Sequence, residues 1–334
     1  MVVEIVDLNT AANQDVFDVY LGLTASGYDL ANPNRAGVIH NALMAENWSQ
    51  QTLQYFAQAR INDGRVNPYW PRASILASVS LLIDRIPVSS HLTLIQTFLA
   101  AMDNLSLADM DHAMISWATE LPKQTAVIRT SRTYARAWKS YQQAIQREIR
   151  ENGLRYQQEM LAAQGRLRVL LPPQASMSQL VTILNPLQAD PLTDVVEGCD
   201  RVYVVTSHLR PESSMHELVH ILLSPWLRKW EERITASVGL LDLVYDRMAY
   251  LTYAWDRSSG SWKNVFSETL VRVLTALVAG DGDPQVQIRD LVQEGFAYAR
   301  PMAETIAAMG KSQSLSGEWL DQCLCTCARL AKQA

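Results

Sequence analysis

The spacing of apolar residues predicts that helices dominate the first half of the chain. Apolar positions recur every three or four residues, in segments that are separated by turn-forming residues. The predicted helices cover residues 48–60, 71–85, 90–103, 106–120 and 131–165. In the last of these, Gly153 is the expected break or kink and Gly165 the expected end, because glycine weakens a helix.

The pattern changes its period after Gly165. Short runs rich in β-branched residues predict strands, which we expect at residues 166–173, 180–186 and 200–207, with a further short strand at 2–8. From Ser213 the helical period returns, and it predicts helices at about 214–224, 226–255, 264–279, 284–309 and 316–332.

Helices, then a small sheet, then helices again are typical of an α+β fold that is mostly helical. We therefore expect a mainly helical N-terminal region at residues 1–165 and a second domain at residues 166–334. The total of 334 residues agrees with about two domains.

Composition excludes several classes of protein. The chain is 48% hydrophobic and 19% charged, which is typical of a folded globular protein and not of a disordered one. Its net charge of −5 gives no excess of Lys and Arg, so we expect no nucleic acid partner.

Neither a leader nor a membrane span is predicted. The first 20 residues lack the basic start and apolar core of a signal peptide, and no apolar run reaches about 18 residues. The four cysteines are too few for a disulfide scaffold. We expect a cytoplasmic protein, or a secreted one if a signal peptide has been removed.

The most informative motif is HExxH, formed by His216-Glu217-Leu218-Val219-His220. Four residues span about 400° of α-helix, so both imidazoles lie on one face at a spacing that chelates Zn²⁺. Glu217 lies about 100° around the helix from His216, where it can act as a general base without binding the metal. The apolar Leu218 and Val219 predict that the back of this helix packs in the interior.

A second interpretation of the same residues remains open. Ser214 and Glu217 match the S-x-x-E capping box, in which the glutamate accepts a hydrogen bond from the Ser214 backbone and performs no chemistry. If Ser213 is the cap instead, Glu217 remains free for catalysis.

A catalytic zinc requires a third protein ligand and leaves one coordination position for water. The metzincin pattern is excluded, because Leu223 and Trp226 stand where it requires glycine and histidine. We favour Glu268, because Asn264 can cap a helix whose apolar residues surround that glutamate. The rival carboxylates are Glu231, Glu232, Asp242 and Asp246.

With these residues, the segment from about 200 to 275 resembles a zinc metallopeptidase of the gluzincin type. The resemblance implies a zincin-like unit with a small sheet before the HExxH helix, and Glu217 as the catalytic base. It also implies three zinc ligands, His216, His220 and Glu268. The chain departs from the family pattern at Arg272, which stands where some members carry a carboxylate.

The expected reaction is peptide hydrolysis. Zn²⁺ lowers the pKa of a bound water to about 7, and Glu217 takes the proton and later passes it to the leaving amine. A further donor usually stabilises the oxyanion. The candidates for this donor are Tyr245, Tyr250, Tyr253 and His208.

Zn²⁺ is therefore the expected cofactor, and a peptide or protein is the expected substrate. Two other functions remain open, a helical binding or scaffold protein with a structural or degenerate zinc site, and hydrolysis of a non-peptide amide. A second metal site at Cys323, Cys325 and Cys327 would require a non-helical tail, because on a helix the middle cysteine points away. The sequence specifies neither the role of residues 12–163 nor the oligomeric state.

Overall fold

The computed structural model is mostly helical, and its described residues include a small sheet. It describes residues 6–9, 12–28, 48–60, 73–83, 112–171, 180–188, 193–197, 202–251, 253–279, 282–309 and 314–333. The helix predicted at 90–103 lies outside these residues. Within them, no helix combines the length and the apolar character that crossing a membrane would require.

Among the described residues, the helices of the first half of the chain are α1 (Gln14–Ala25), α2 (Gln50–Ala57), α3 (Ala73–Ile83), α4 (His112–Thr119), α5 (Leu121–Arg129) and α6 (Tyr134–Leu170). Those of the second half are α7 (Pro211–Lys229), α8 (Glu231–Thr235), α9 (Tyr245–Tyr250), α10 (Ser259–Val278), α11 (Pro284–Glu294), α12 (Ala299–Ala308) and α13 (Gly317–Ala331). A 3₁₀ helix at Val238–Leu243 stands between α8 and α9. The helices predicted at 48–60, 71–85 and 316–332 are confirmed.

Helix α6 corrects two predictions. It continues through Gly153 and Gly165, and residues 166–170, which were predicted to form a strand, are its last turn. Gly165 is exposed with open space around it, so its missing side chain costs no packing. Buried side chains recur at helical spacing on both sides of it, at Tyr156, Met160, Ala163, Leu167 and Leu171. This continuous stripe outweighs the β-branched character of the segment.

The sheet has the strand order β1-β2-β4-β3. Its strands are β1 (Val6–Asn9), β2 (Leu180–Leu184), β3 (Thr193–Glu197) and β4 (Val202–Thr206). Strand β2 pairs with β4 in parallel and β3 pairs with β4 antiparallel. The strands predicted near 180–186 and 200–207 are confirmed, whereas β3 was not predicted.

Contacts divide the chain into two compact units. One consists of residues 1–6, 154–179 and 210–334, and is called the HExxH unit here. The other consists of residues 7–153 and 180–209, and is called the sheet unit. These units do not coincide with the predicted regions 1–165 and 166–334, whose division stays a prediction.

Helix α7 begins at Pro211, earlier than predicted, and runs past Pro225 to Lys229. Proline is favoured in the first turn of a helix, where its missing N–H is not needed. Ser214 therefore lies inside the helix, and the predicted capping box of Ser214 and Glu217 is wrong. Ser213 is not the cap either, because Arg210 holds that position.

Two long predicted helices are each divided. The segment 226–255 contains the end of α7, α8, the 3₁₀ helix and α9. The segment 284–309 is split into α11 and α12 by Gly295, whose φ of 116° is a left-handed conformation that ends a helix.

Helix α10 is the central element of the HExxH unit. It packs against α7, α8, the 3₁₀ helix, α11 and α12. The Ser258 side chain caps it by accepting a hydrogen bond from the Ser261 backbone N–H, so Asn264 is not its cap as was predicted. The indole of Trp262 is buried in α10 and donates to the Ile234 carbonyl at 2.8 Å. The hydrogen bond joins α10 to α8, and α10 also packs directly against α7.

Candidate metal centre

The HExxH histidines project from α7 towards α10. His216 and His220 lie one turn apart, and their Nε2 atoms are 3.1 Å from each other. Between them, Leu218 and Val219 are fully buried on the back of the helix, as their apolar character predicts. Packing of this back leaves the two imidazoles on the face that meets the neighbouring helix.

Glu268 completes the group from α10. Its Oε2 lies 3.2 Å from His220 Nε2 and its Oε1 lies 3.6 Å from His216 Nε2. The glutamate is 7% exposed, and the histidines are half-buried. One ligand atom from each of the three residues lies within 4.8 Å of the others. The three side chains therefore form a group that could hold a metal ion.

The separations agree with a shared ion. Ligand bonds of about 2.0–2.1 Å in a tetrahedral arrangement place two ligand atoms about 3.3 Å apart. The separation of 3.1 Å between the two Nε2 atoms and that of 3.2 Å between His220 Nε2 and Glu268 Oε2 lie close to that value, and all three ligand atoms lie within 4.8 Å of one another. Two histidines and one glutamate are also a donor set found at catalytic zinc sites. The residues present thus fit such an ion in geometry and in chemistry.

The protonation states of His216 and Glu268 suit metal ligands. Burial lowers the pKa of the His216 imidazole to about 4, so this ring is neutral at pH 7. Burial alone would raise the pKa of Glu268, but the hydrogen bond with His220 and the charges of the histidines and Arg272 outweigh it and lower the pKa to about 2. An ionised carboxylate and a neutral imidazole are the forms that bind a cation.

Glu217 is half-buried beside the two histidines. Burial lowers the pKa of His220, but the hydrogen bond and charge of Glu268, together with the charge of Glu217, outweigh it and raise the pKa. The Glu217 carboxylate is thus close enough to His220 to act on it electrostatically.

Arg272 is a member of the site whose role the sequence did not reveal. Its Nε donates to Glu268 Oε1 at 2.7 Å, and its NH2 group donates to the Tyr253 hydroxyl at 2.8 Å. The signal was the spacing of four residues between Glu268 and Arg272, which places both side chains on one face of a helix.

Asn264 belongs to the same face of α10, one turn before Glu268. Its Nδ2 donates to the Tyr253 carbonyl at 2.8 Å, and the Tyr253 N–H donates to the Met248 carbonyl at 2.8 Å. The loop that carries Tyr253 is therefore attached to α10 by side chains on both sides of Glu268.

The rival carboxylates lie in other surroundings. Glu231 pairs with Lys263 at 2.7 Å, and Asp242 pairs with Arg257 at 2.6 Å. Glu232 is exposed, and the side chain of Asp246 is 96% exposed. In the described part of the chain, the histidine group includes none of these four.

Of the candidate oxyanion donors, Tyr253 lies nearest to the group. Its hydroxyl interacts with Glu268 as well as with Arg272. Tyr250 is 75% exposed and stacks under Arg247, and Tyr245 stacks under Arg257. His208 belongs to the sheet unit, where its Nδ1 lies 3.7 Å from Glu148.

The C-terminal cysteines lie on α13. Cys323 and Cys327 are buried, and Cys325 is exposed on the other side of the helix. The tail is helical, so the condition for a three-thiolate site is not met.

A scan against models of protein families found no match to this chain, and searches of curated proteins and of solved structures found none either.

Proposed function

We propose that the chain is a zinc-dependent metallopeptidase of the gluzincin type, which hydrolyses peptide bonds with Glu217 as the general base. The observation that carries this proposal is the convergence of His216, His220 and Glu268, three donors from two helices, next to a glutamate in the HExxH position. A purely structural site would not require a carboxylate at that position.

The three ligands would hold the ion. His216 is neutral and Glu268 is ionised at pH 7, and Arg272 pairs with one oxygen of the carboxylate. The pKa of His220 is raised, so this ring would release a proton when it binds the ion. A bound Zn²⁺ supplies a Lewis acid, which polarises a carbonyl and makes a coordinated water more acidic. Three protein ligands leave a coordination position for this chemistry.

The remaining roles fall to side chains of this chain. Glu217 lies about 100° around α7 from His216, and its carboxylate would accept a proton from water and return it to the leaving amine. The Tyr253 hydroxyl, held by Arg272, is the donor best placed to stabilise the negative charge that develops on the carbonyl oxygen.

The decisive test is Glu217→Gln. We expect kcat on a peptide library to fall roughly 100- to 10,000-fold, because general base catalysis contributes about that much, while zinc stays bound at one ion per chain. Peptide cleavage by mass spectrometry and zinc content by atomic absorption measure both quantities. The matched control is Glu212→Gln, the same change at an exposed residue in the first turn of the same helix.

Two outcomes would contradict the proposal. Unchanged turnover in Glu217→Gln would exclude the base. A wild type that binds zinc, cleaves no peptide and unfolds when His216→Ala removes the metal would favour a binding or scaffold protein with a structural zinc site.

A further inference from the structure

We propose that Arg272 is a positioning residue of the metal centre, which holds one oxygen of Glu268 so that the other is presented to the metal. This rests on the proposed metal site, but not on peptidase activity. The family resemblance did not indicate such a role, since some gluzincins carry a carboxylate at the position of Arg272.

The two oxygens of Glu268 have separate partners. Oε1 accepts from Arg272 Nε at 2.7 Å and lies 3.6 Å from His216 Nε2, whereas Oε2 faces His220 Nε2 at 3.2 Å. A carboxylate can rotate about its last bond and can bind a metal through one oxygen or both. The hydrogen bond to Oε1 fixes this rotation and leaves Oε2 as the ligand atom.

Arg272 is itself held in place. Its NH2 group donates to the Tyr253 hydroxyl at 2.8 Å, and its guanidinium lies 4.7 Å from the centre of the Phe296 ring. A planar guanidinium with two partners in different directions has one orientation, which a lysine ammonium could not reproduce. The side chain is only 28% exposed, so little water competes for its donors.

The support extends one residue further. Tyr253 is fixed through its backbone by Asn264 and Met248, and its ring lies 5.6 Å from Phe296. The hydroxyl that Arg272 uses is therefore attached to the same helix that carries Glu268. Arg272 closes a ring of contacts from α10 through Tyr253 and back to the ligand.

A simpler account makes Arg272 only the counter-ion of a buried carboxylate. That account predicts a loss of folding stability when Arg272 is replaced, but no specific effect on the geometry of a bound metal. Positioning predicts weaker binding and an altered coordination sphere even in a folded protein. The two accounts differ in properties that do not require turnover.

The test compares metal binding in Arg272→Met and Arg272→Lys with the wild-type chain. Zn²⁺ affinity is measured by competition with a chromophoric chelator, and coordination by the visible absorption of the Co²⁺ form. We expect Arg272→Met to bind Zn²⁺ roughly 10- to 100-fold more weakly and to show a changed Co²⁺ spectrum, as when other supports of metal ligands are removed. Arg272→Lys keeps the positive charge but loses the planar guanidinium with its several N–H donors. We therefore expect its Zn²⁺ affinity to lie between that of the wild type and that of Arg272→Met.

Tyr253→Phe is the milder variant, because it removes a hydroxyl that contacts both Arg272 and Glu268 but retains the ion pair between those two residues. We expect roughly 10-fold weaker binding at most. If Arg272→Met does not fold, as judged by circular dichroism of the metal-free protein, Tyr253→Phe decides the question. An unchanged affinity and an unchanged Co²⁺ spectrum in that variant would then overturn the proposal.

Three further results would overturn it. The first is a folded Arg272→Met variant with the Zn²⁺ affinity and Co²⁺ spectrum of the wild type. The second is an Arg272→Lys variant whose affinity and spectrum equal those of the wild type. The third is a wild-type chain that binds neither Zn²⁺ nor Co²⁺. A failure of the peptidase proposal differs from the first two, because the metal-binding differences would persist while no peptide is cleaved.

Discussion

Each unit of the chain contains a buried carboxylate that pairs with an arginine, yet the two ionise at very different pH. In the HExxH unit, the charges and hydrogen bonds around buried Glu268 lower its pKa to about 2. In the sheet unit, Asp18 is fully buried beside Arg129, and burial raises its pKa to about 6 in spite of that partner.

The partners of the two carboxylates differ, although burial is the largest single influence on the pKa of each. At Asp18, burial outweighs the hydrogen bonds from Tyr134 and Arg129, and the charge of Asp15, which also pairs with Arg129 at 2.8 Å, adds a smaller rise. At Glu268, the hydrogen bond with His220 and the interactions with His216 and Arg272 outweigh burial. Burial alone thus favours the protonated form, and the partners around Glu268 keep its carboxylate ionised.

The largest effect is expected for Glu268→Gln. A zinc site worth about 12 kcal/mol and shared among three protein ligands loses about 4 kcal/mol per ligand, which is roughly 1,000-fold in affinity. Chelator competition measures the change. Asp18→Asn is the equivalent substitution in the sheet unit and should leave the affinity unchanged. Equal losses of Zn²⁺ affinity in both variants would contradict the assignment of metal binding to Glu268.

The second largest effect is expected in the pH dependence of the free energy of unfolding, to which Asp18 contributes. Its pKa of about 6 in the folded state exceeds its usual value of 3.8, so the folded state binds the proton more tightly. This stabilisation is complete below about pH 4 and is lost as the pH rises through 6, with an upper limit of about 3 kcal/mol.

Urea unfolding at several pH values, for the wild type and for Asp18→Asn, measures this contribution as the difference between the two proteins. The free energy of unfolding of the wild type should fall relative to the variant between pH 4 and 6. A difference that is constant over this range would show that the Asp18 pKa is not raised.

A smaller loss is expected for Tyr134→Phe. The Tyr134 hydroxyl donates to Asp18 Oδ1 at 2.6 Å, and its removal leaves a buried carboxylate oxygen without that donor. We expect the free energy of unfolding to fall by about 1–2 kcal/mol at pH 7. Tyr250→Phe, at a 75% exposed tyrosine, is the control and should cause almost no change.

Asp15→Asn should have the smallest effect, and it tests how far a second carboxylate influences the pKa of Asp18. The variant removes that carboxylate, so the pKa of Asp18 should fall by less than about one unit. The corresponding change in the free energy of unfolding should be under about 1 kcal/mol. A shift of the Asp18 carboxyl titration by NMR towards lower pH measures it. An upward shift would contradict the role given to shared charge.

The part of the site that depends on spacing within one helix was predictable. His216 and His220 share a face because four residues make about one turn, and Glu268 was favoured by its apolar helical neighbours. The structure brings the three together. Arg272 has the same spacing from Glu268, but spacing alone does not reveal that the arginine would support a ligand.

Features that depend on tertiary packing were predicted less well. Residues 166–170 have a strand-like composition, but a buried stripe that begins at Tyr156 keeps them helical. Strand β3 exists through its pairing with β4, a partner that its own short sequence does not indicate. Asn264 looked like a helix cap, but Ser258 takes that role and leaves the amide to hold Tyr253.

The regular spacing of Asn264, Glu268 and Arg272 along α10 provides a recognition pattern. HExxH followed later by N-x-x-x-E-x-x-x-R describes both the candidate ligands and the side chains that contact Glu268 and Tyr253, in a form that can be read from any sequence. A chain with the glutamate but without the flanking asparagine and arginine would have the three candidate ligands and lack these contacts. A search with the longer pattern would therefore select chains by the surroundings of the glutamate as well as by the HExxH motif.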